Sequence, residues 1–561
     1  MSGVPFYYGP DCPTKPLVGR DAFHRVPTGR GVLVALVLGM ILWSVLVSNG
    51  TAAHAAAAPP PNILIILADD LGYGDVQCFN PERGKIPTPQ LDGLAAQGMR
   101  FTDAHSSSSV CSPSRYTLLT GRYHWRTRLQ SGIINLWERP LIVPDRLTLA
   151  GLAKKRGYQT VCIGKWHLGW DWPISKGQRR FFQGFGRQAG GGGVQTTVTA
   201  EHRAAWRAAF LQPIGGGPIT RGFDQYYGVD VPNWPPYCFI ENDRTVGIPA
   251  ALLPTALLRN NLASLQGPAL EEWRLEAVLP TLINRTVEQI ARHAQAKQPF
   301  LIYLPLTSPH TPLAVNEAWR GKSGLGAYAD FVMETDAALG RVLSALQEYG
   351  AAENTLVVFT SDNGCAPYSG VPAMEKKGHF PSAQFRGYKG DIWEGGHRVP
   401  LIVRWPGVIA PGSLCTQTVG QADLMATLAD ILGLALPANA GEDSVSLWPL
   451  FRGHNKPIHD ACVHHSSTGQ FAIRQGKWKL IFCPGSGGPW TEPKDAAATA
   501  QGLPPIQLYD LEADPGERQN LQDQHPDVVA RLTQLMGKLI SDGRSTPGPK
   551  QHNDVVVDFD F

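Results

Sequence analysis

Three apolar runs of strand length, each delivering polar residues at its far end, constrain this chain more than any other feature. The first, Asn62-Ile63-Leu64-Ile65-Ile66-Leu67-Ala68, runs straight into Asp69 and Asp70. The second, Phe300-Leu301-Ile302-Tyr303-Leu304, leads to Ser308-Pro309-His310-Thr311-Pro312, where prolines hold His310 in a rigid loop. The third, Thr355 to Thr360, is followed by Ser361-Asp362-Asn363-Gly364. Uninterrupted apolar runs of this length mark strands buried on both faces, and such strands belong to parallel sheets covered by helices. An amphipathic helix is expected from about Tyr328 to Tyr349, with Val332, Leu339, Val342, Leu343 and Leu346 at helical spacing. The expected fold class is therefore α/β. Ligands of open α/β sheets sit beyond the carboxyl ends of the strands, where Asp69, Asp70, Asp362 and Asn363 fall. Adjacent carboxylates repel unless a cation lies between them; a turn cap would explain one aspartate better than two. This all-oxygen set suits a hard cation, Ca²⁺ or Mg²⁺, rather than zinc.

Cys111-Ser112-Pro113-Ser114-Arg115, continuing through Leu118-Leu119-Thr120-Gly121-Arg122, reads as a short helix. Pro113 suits its first turn and Gly121 its end. Cys111 is thus expected at a helix mouth whose free N–H groups attract an anion, with Arg115 one turn along to grip sulfate or phosphate. Taken alone, the pentapeptide would fit a buried free cysteine equally well. Gly157 to Gly169 forms a strand ending at Gly164, after which Lys165 and His167 point to one side if extended. A cation and an imidazole beyond a strand end suit an anionic ester, whereas a lone Lys-x-His is more often surface decoration.

The Cys111 stretch resembles the signature of the type I sulfatases, Cys-x-Pro-Ser-Arg followed by Leu-x-Thr-Gly-Arg. Residues 157–169 match that family's second signature, Gly-Tyr-x-Thr-x-x-x-Gly-Lys-Trp-His-Leu-Gly. The resemblance covers about residues 61 to 545. It implies an alkaline-phosphatase-like fold: a mixed, largely parallel sheet flanked by helices, with a smaller C-terminal antiparallel α+β subdomain. It also implies hydrolysis of a sulfate ester, on a sulfated carbohydrate or an aryl sulfate. In that family a separate formylglycine-generating enzyme oxidises the cysteine to an aldehyde whose hydrate carries the attacking oxygen. Carried over, Cys111 is the nucleophile precursor, and with Asp69, Asp70, Asp362 and Asn363 it holds the cation, expected to be Ca²⁺. Arg115 stabilises the hydrate, Lys165 and Lys389 neutralise sulfuryl oxygens, His310 protonates the leaving oxygen and His167 helps release sulfate. The rivals are a phosphonate or phosphate ester hydrolase of the same superfamily, which tends to carry Asp-His where this chain has Asp362-Asn363, and a non-catalytic glycan-binding relative. A cysteine protease would leave Arg115 without a use.

Residues 1–58 carry Arg20, Arg25 and Arg30, then an uncharged run from Gly31 to Ser48 and an Ala-rich exit, the pattern of a secretory signal peptide or signal anchor. Export to a periplasmic, extracellular or luminal space is expected, with membrane attachment only if the segment stays uncleaved. A catalytic domain is expected over 59–456, an antiparallel subdomain over 457–545 with a hairpin turning at Gly476, and a loose tail over 546–561. Fifty Lys+Arg against 47 Asp+Glu leave +3 and no polybasic run, which argues against a nucleic-acid partner. None of the nine cysteines forms a Cys-x-x-Cys pair; one or two disulfides remain open. The irregular stretch 170–260, with Gly190 to Gly193 and Asn233-Trp234-Pro235-Pro236-Tyr237, reads as binding loops whose aromatics stack on a sugar or aryl ring, or simply pack.

Overall fold

The three apolar runs lie side by side. In the computed structural model, which describes residues 60–183, 197–258 and 264–560, Asn62–Ala68 pairs in parallel with Phe300–Pro305 on one side and Thr355–Ser361 on the other. The expected signal segment and Gly190 to Gly193 lie outside the described residues. Across the ten-stranded sheet the order is Ser413–Cys415, Met99–Phe101, Leu401–Arg404, Thr355–Ser361, Asn62–Ala68, Phe300–Pro305, Gln159–Lys165, Gln225–Val229, Ile240–Glu241 and Arg244–Thr245. The five central strands from Thr355–Ser361 to Gln225–Val229 are parallel. Leu401–Arg404 returns antiparallel to Thr355–Ser361, making the sheet mixed.

The four strands from Thr355–Ser361 to Gln159–Lys165 are buried on both faces because helices cover both. Leu64 and Ile66 join a core with the helices Val278–Gln295 and Ala327–Glu348, while Ile63, Ile65 and Leu67 face the helices Cys111–Thr120, Leu149–Lys154 and Leu424–Ile431. The Ala327–Glu348 helix buries Val332, Leu339, Val342 and Leu346, as their spacing requires. In stretch 170–260 the sequence pattern conceals a helix, Ala200–Phe210, whose Trp206 and Phe210 pack with Phe182. Among the described residues no helix is long and apolar enough to cross a membrane.

A four-stranded antiparallel sheet follows, in the order Cys462–His465, Phe471–Gln475, Trp478–Ile481, Gln507–Asp510. Its hairpin turns at Gly476 (φ 57°), and the helix Pro526–Ser541 packs Val528, Leu532 and Met536 against it. Residues 546–560 are not the loose tail expected. Asp554 accepts from Arg122, Asn553 from Arg126, and Phe559 packs edge-on against Phe482. The two buried arginines, already paired with Glu442 and Asp443, find further acceptors in the tail. The eight described cysteines are all free thiols, so no disulfide forms among them.

Candidate active site

Parallel pairing brings the carboxyl ends of the strands to one edge, and hydrogen bonds lock them there. Asp362 N donates to Ala68 O (3.1 Å) and Asp69 N to Ser308 O (3.1 Å), tying the first strand end to both neighbours. Asp70 takes a left-handed backbone (φ 65°), a conformation aspartate tolerates, and its N–H donates to Asp362 Oδ1 (3.1 Å). Asn363 Nδ2 donates to Asp70 Oδ1 (2.8 Å), while Asn363 Oδ1 is buried without a partner.

The helix Cys111–Thr120 begins at the cysteine, carries Pro113 in its first turn and stops at Gly121 (φ 65°). Its N-terminus points the Cys111 sulfur at the strand ends, 3.8 Å from Asp69 Oδ1 and 4.0 Å from Asp70 Oδ1. Lys389 Nζ lies 3.5 Å from the same sulfur and 2.6 and 2.7 Å from the two Asp70 oxygens. Lys165 Nζ stands 2.9 Å from both oxygens of Asp69. Arg115 differs from its expected place. Its fork donates to Asp362 Oδ2 (2.7 and 3.0 Å), Asp69 Oδ1 (3.1 Å) and the Lys165 carbonyl (3.1 Å). A fully buried guanidinium turns to the carboxylates beside it, so Arg115 clamps Asp69 to Asp362 and no free fork is left to hold an anion.

His310 Nε2 is 3.5 Å from Asp70 Oδ2, and its Nδ1 is bonded to the Thr311 carbonyl, which aims Nε2 at the site. His167 is not extended as expected: it adopts φ 52°, places Nε2 3.1 Å from Ile134 O and leaves Nδ1 without a partner. It still reaches the same cavity, with Trp234 edge-on at 5.8 Å.

Burial and paired charge set the electrostatics. Burial pushes the Cys111 thiol up to about 12 against the pull of Lys165 and Lys389, so the unmodified side chain is a neutral thiol at neutral pH. Burial would raise Asp69 too, but Lys165, His310 and Arg115 hold it well below the usual carboxylate range. Asp362 is lifted to about 6 by burial, which Arg115 only partly offsets. His310 is pushed down to about 4 by burial, with Asp70 pulling the other way. Lys389, despite its burial, is held well above its ordinary value by Asp70.

Above these groups opens a cavity of about 400 Å³. Of the sequence candidates, Cys111, His167, His310 and Lys389 reach its wall. Asp69, Asp70, Arg115, Lys165, Asp362 and Asn363 are buried beneath. The opposite wall was missed in the sequence: Tyr368, Ser467, Thr468 and Trp490. Tyr368 and Trp490 meet edge-on at 5.3 Å. Ser467 belongs to the C-terminal sheet's margin, where Ser467 N donates to Gly390 O, Gly390 N to Ser109 O and Ser109 N to His465 O. That ladder braces the loops of both Lys389 and Cys111.

The donor chemistry fits a hard cation. Asp69, Asp70, Cys111 and His310 present atoms within 4.8 Å of one another. Asn363 Oδ1 adds an unpartnered buried oxygen beside Asp70, and Asp362 stands against Asp70 N. Two converging carboxylates, with the Asp362 carboxylate and the Asn363 amide oxygen adjoining Asp70, suit Ca²⁺ or Mg²⁺ better than a thiophilic metal.

Residues 61–434 match the family model described as Sulfatase. The chain is 31% identical to an N-acetylgalactosamine-6-O-sulfatase of Bacteroides thetaiotaomicron, covering 85% of this chain and 92% of the relative. It is 33% identical to human arylsulfatase A, covering 89% and 92%. A solved structure from work on the metabolism of multiple glycosaminoglycans by Bacteroides thetaiotaomicron superposes with a TM-score of 0.70 at 28% identity, over 86% of this chain and 99% of that one.

Proposed function

The chain belongs to the sulfatase family and is a sulfuric ester hydrolase, and from that premise we propose that it releases sulfate from a sulfated carbohydrate or aryl sulfate through a formylglycine made from Cys111. The observation that carries this reading is the Cys111 sulfur at the cavity floor, 3.5 Å from Lys389 and within 4.0 Å of Asp69 and Asp70. A neutral thiol is a poor nucleophile, and a sulfated thiol would have no easy exit. In the family the modified cysteine supplies the attacking oxygen instead. A cation held by Asp69, Asp70, Asp362, Asn363 and modified Cys111, Ca²⁺ or otherwise Mg²⁺, would polarise a sulfate oxygen.

The surrounding side chains divide the remaining work. Lys389 faces the cavity and Lys165 lies beneath; each ammonium has three donors, enough to hold its aspartate and still face a sulfuryl oxygen. Arg115 fixes Asp69 and Asp362, and its charge stabilises the hydrate from below. His310, its Nδ1 held by the Thr311 carbonyl, would protonate the leaving oxygen from Nε2 once a bound anionic sulfate favours its charged form, and His167 would assist sulfate release. Export after removal of the N-terminal segment, maturation by a formylglycine-generating enzyme, and the division at about residue 456 belong to the same proposal.

Peptide mass spectrometry across Ser107–Arg122 of protein from its native host tests it. A loss of about 18 Da at Cys111, with sulfate release abolished in Cys111→Ala, is expected. Full turnover by Cys111→Ala, or unmodified Cys111 in active protein, would overturn the mechanism. Release of phosphate in place of sulfate would favour the phosphate ester hydrolases of the superfamily.

A further inference from the structure

We propose that a second cleft beside the active-site cavity is a subsite for an anionic sugar, so that the substrate is a sulfated oligosaccharide rather than a lone sulfated ring; this rests on the sulfatase reading above. The cleft encloses about 300 Å³. Leu136, Trp137, Trp172, Arg179, Leu265 and Gln266 line it. It shares two walls with the active-site cavity. On one side the chain runs from Ile133, which lines the first cavity, to Leu136 and Trp137, which line the second, and between them the Ile134 carbonyl is bonded to His167 Nε2. On the other, Leu265 N donates 3.0 Å to the carbonyl of Asn233, which also lines the first cavity.

The lining is built to hold a ring. Trp137 and Trp172 stand edge to face, centroids 5.0 Å apart at 86°. Trp137 Nε1 donates to Phe182 O at 2.9 Å, fixing the indole, and Phe182 and Phe210 pack behind it. Rigid, half-buried indoles offer flat apolar contact with little entropy to lose, as the C–H face of a sugar requires. Gln266 is buried and spends its Nε2 on the Leu253 carbonyl (2.8 Å), so recognition of charge in the cleft rests on Arg179. Arg179 is the one charged residue lining the cleft; it is exposed and makes no hydrogen bond or ion pair to another described residue. A neutral aryl group would use the indoles and leave this guanidinium without a role. A sugar carrying a carboxylate or sulfate would pair with it.

The test is steady-state kinetics of the matured, full-length enzyme on 4-nitrophenyl sulfate and on disaccharides in which a sulfated N-acetylhexosamine, sulfated at each position in turn, is linked to a hexuronate. Each disaccharide is compared with its carboxyl-reduced form. The wild type is expected to favour the carboxylate form by about tenfold in kcat/KM, chiefly through KM. Arg179→Ala should erase that preference and Arg179→Lys restore part of it. Equal turnover of the paired disaccharides by the wild type, or an Arg179→Ala loss of the same factor on 4-nitrophenyl sulfate, overturns the proposal. So does hydrolysis of 4-nitrophenyl sulfate with none of the disaccharides, which leaves the sulfatase reading standing. Failure to release sulfate from any probe brings down both.

Discussion

The ammonium of Lys389 touches both oxygens of Asp70, at 2.6 and 2.7 Å, and sits 3.5 Å from the sulfur of Cys111. One lysine thus couples a carboxylate at a strand end to the residue that opens the helix Cys111–Thr120. Lys389→Ala is expected to lower kcat/KM for a sulfate ester by about 10²–10³-fold, the usual cost of removing a charge aimed at a developing anion. It also strips the nearest cation from a carboxylate that is 1% exposed, a loss of about 3–5 kcal/mol for a broken buried pair. Kinetics and a denaturant titration on the same variant separate the two effects. Normal kinetics would remove Lys389 from the mechanism.

The convergence of Asp69, Asp70, Asp362 and Asn363 predicts that Ca²⁺ binds the folded state and not the unfolded one. Calcium at a hundred times its dissociation constant should stabilise the protein by about 2.7 kcal/mol. Chelation should remove activity, and Asp70→Asn should lose most of the calcium-induced rise in Tm. A chelated, metal-free enzyme turning over at the original rate would refute the cation's role.

How much of this was legible depended on whether a residue sits on a regular element. Asp69, Asp70 and Asp362 could be found because each ends an apolar strand buried on both faces, and burial on both faces is written in uninterrupted runs. Lys389 lies in an irregular loop with no period to read, and only its resemblance to a family position marked it. Arg115 was placed correctly on its helix but aimed wrongly, because its direction is set by Asp362, 247 positions away. Trp490 and Ser467 were missed because the contact between the C-terminal sheet and the Cys111 loop is entirely long-range. The one local hint was a tryptophan in the Gly-rich loop Gly485-Ser486-Gly487-Gly488-Pro489-Trp490, which the fold leaves 44% exposed. Cys462–His465 was missed as a strand because two of its four buried residues are His464 and His465, so neither an apolar run nor an alternation marks it.

Gly164 stands where Lys165 leaves its strand, with φ 138° and an added Cβ only 1.8 Å from Pro305 O. Backbone cannot yield there as a flexible side chain would. Gly164→Ala should therefore separate the strands carrying Lys165 and His310, destabilising the protein by more than about 2 kcal/mol. An unfolding midpoint equal to that of wild type would contradict this packing.

The C-terminal residues should matter to stability. Asp554 accepts both terminal nitrogens of Arg122, at 3.2 and 3.0 Å, and Arg122 itself is fully buried. Because Asp554 is 42% exposed on its side chain, solvent screens part of the pair, and Asp554→Ala should cost about 1–2 kcal/mol. Removing residues 546–561 should cost more, since Asn553 and Phe559 go too. A truncated protein as stable as the full chain would return this segment to the status of a loose tail.

Acid should weaken the fold through histidines away from the cavity. His124, His397 and His464 are pushed well below their ordinary value by burial, and His465 to about 3. The unfolded chain takes up these protons near pH 6.5, whereas the folded protein refuses them until far lower pH. Between those limits the unfolded state binds more protons, so stability falls as pH falls. For His465 alone, the descent from about pH 6.5 to about pH 5 removes about 2 kcal/mol. His459 runs the other way. Burial would lower it, but Asp423 at 2.7 Å holds it well above its ordinary value. Its contribution is complete below about pH 6.5 and is lost only as pH rises through the raised value, so it leaves the acid slope unchanged. Urea midpoints measured from about pH 6.5 down to 5 should therefore fall steadily, and His465→Asn should flatten the slope by about one proton. A midpoint constant over that range would mean these imidazoles are protonated in the folded state, and the burial argument would fail with it.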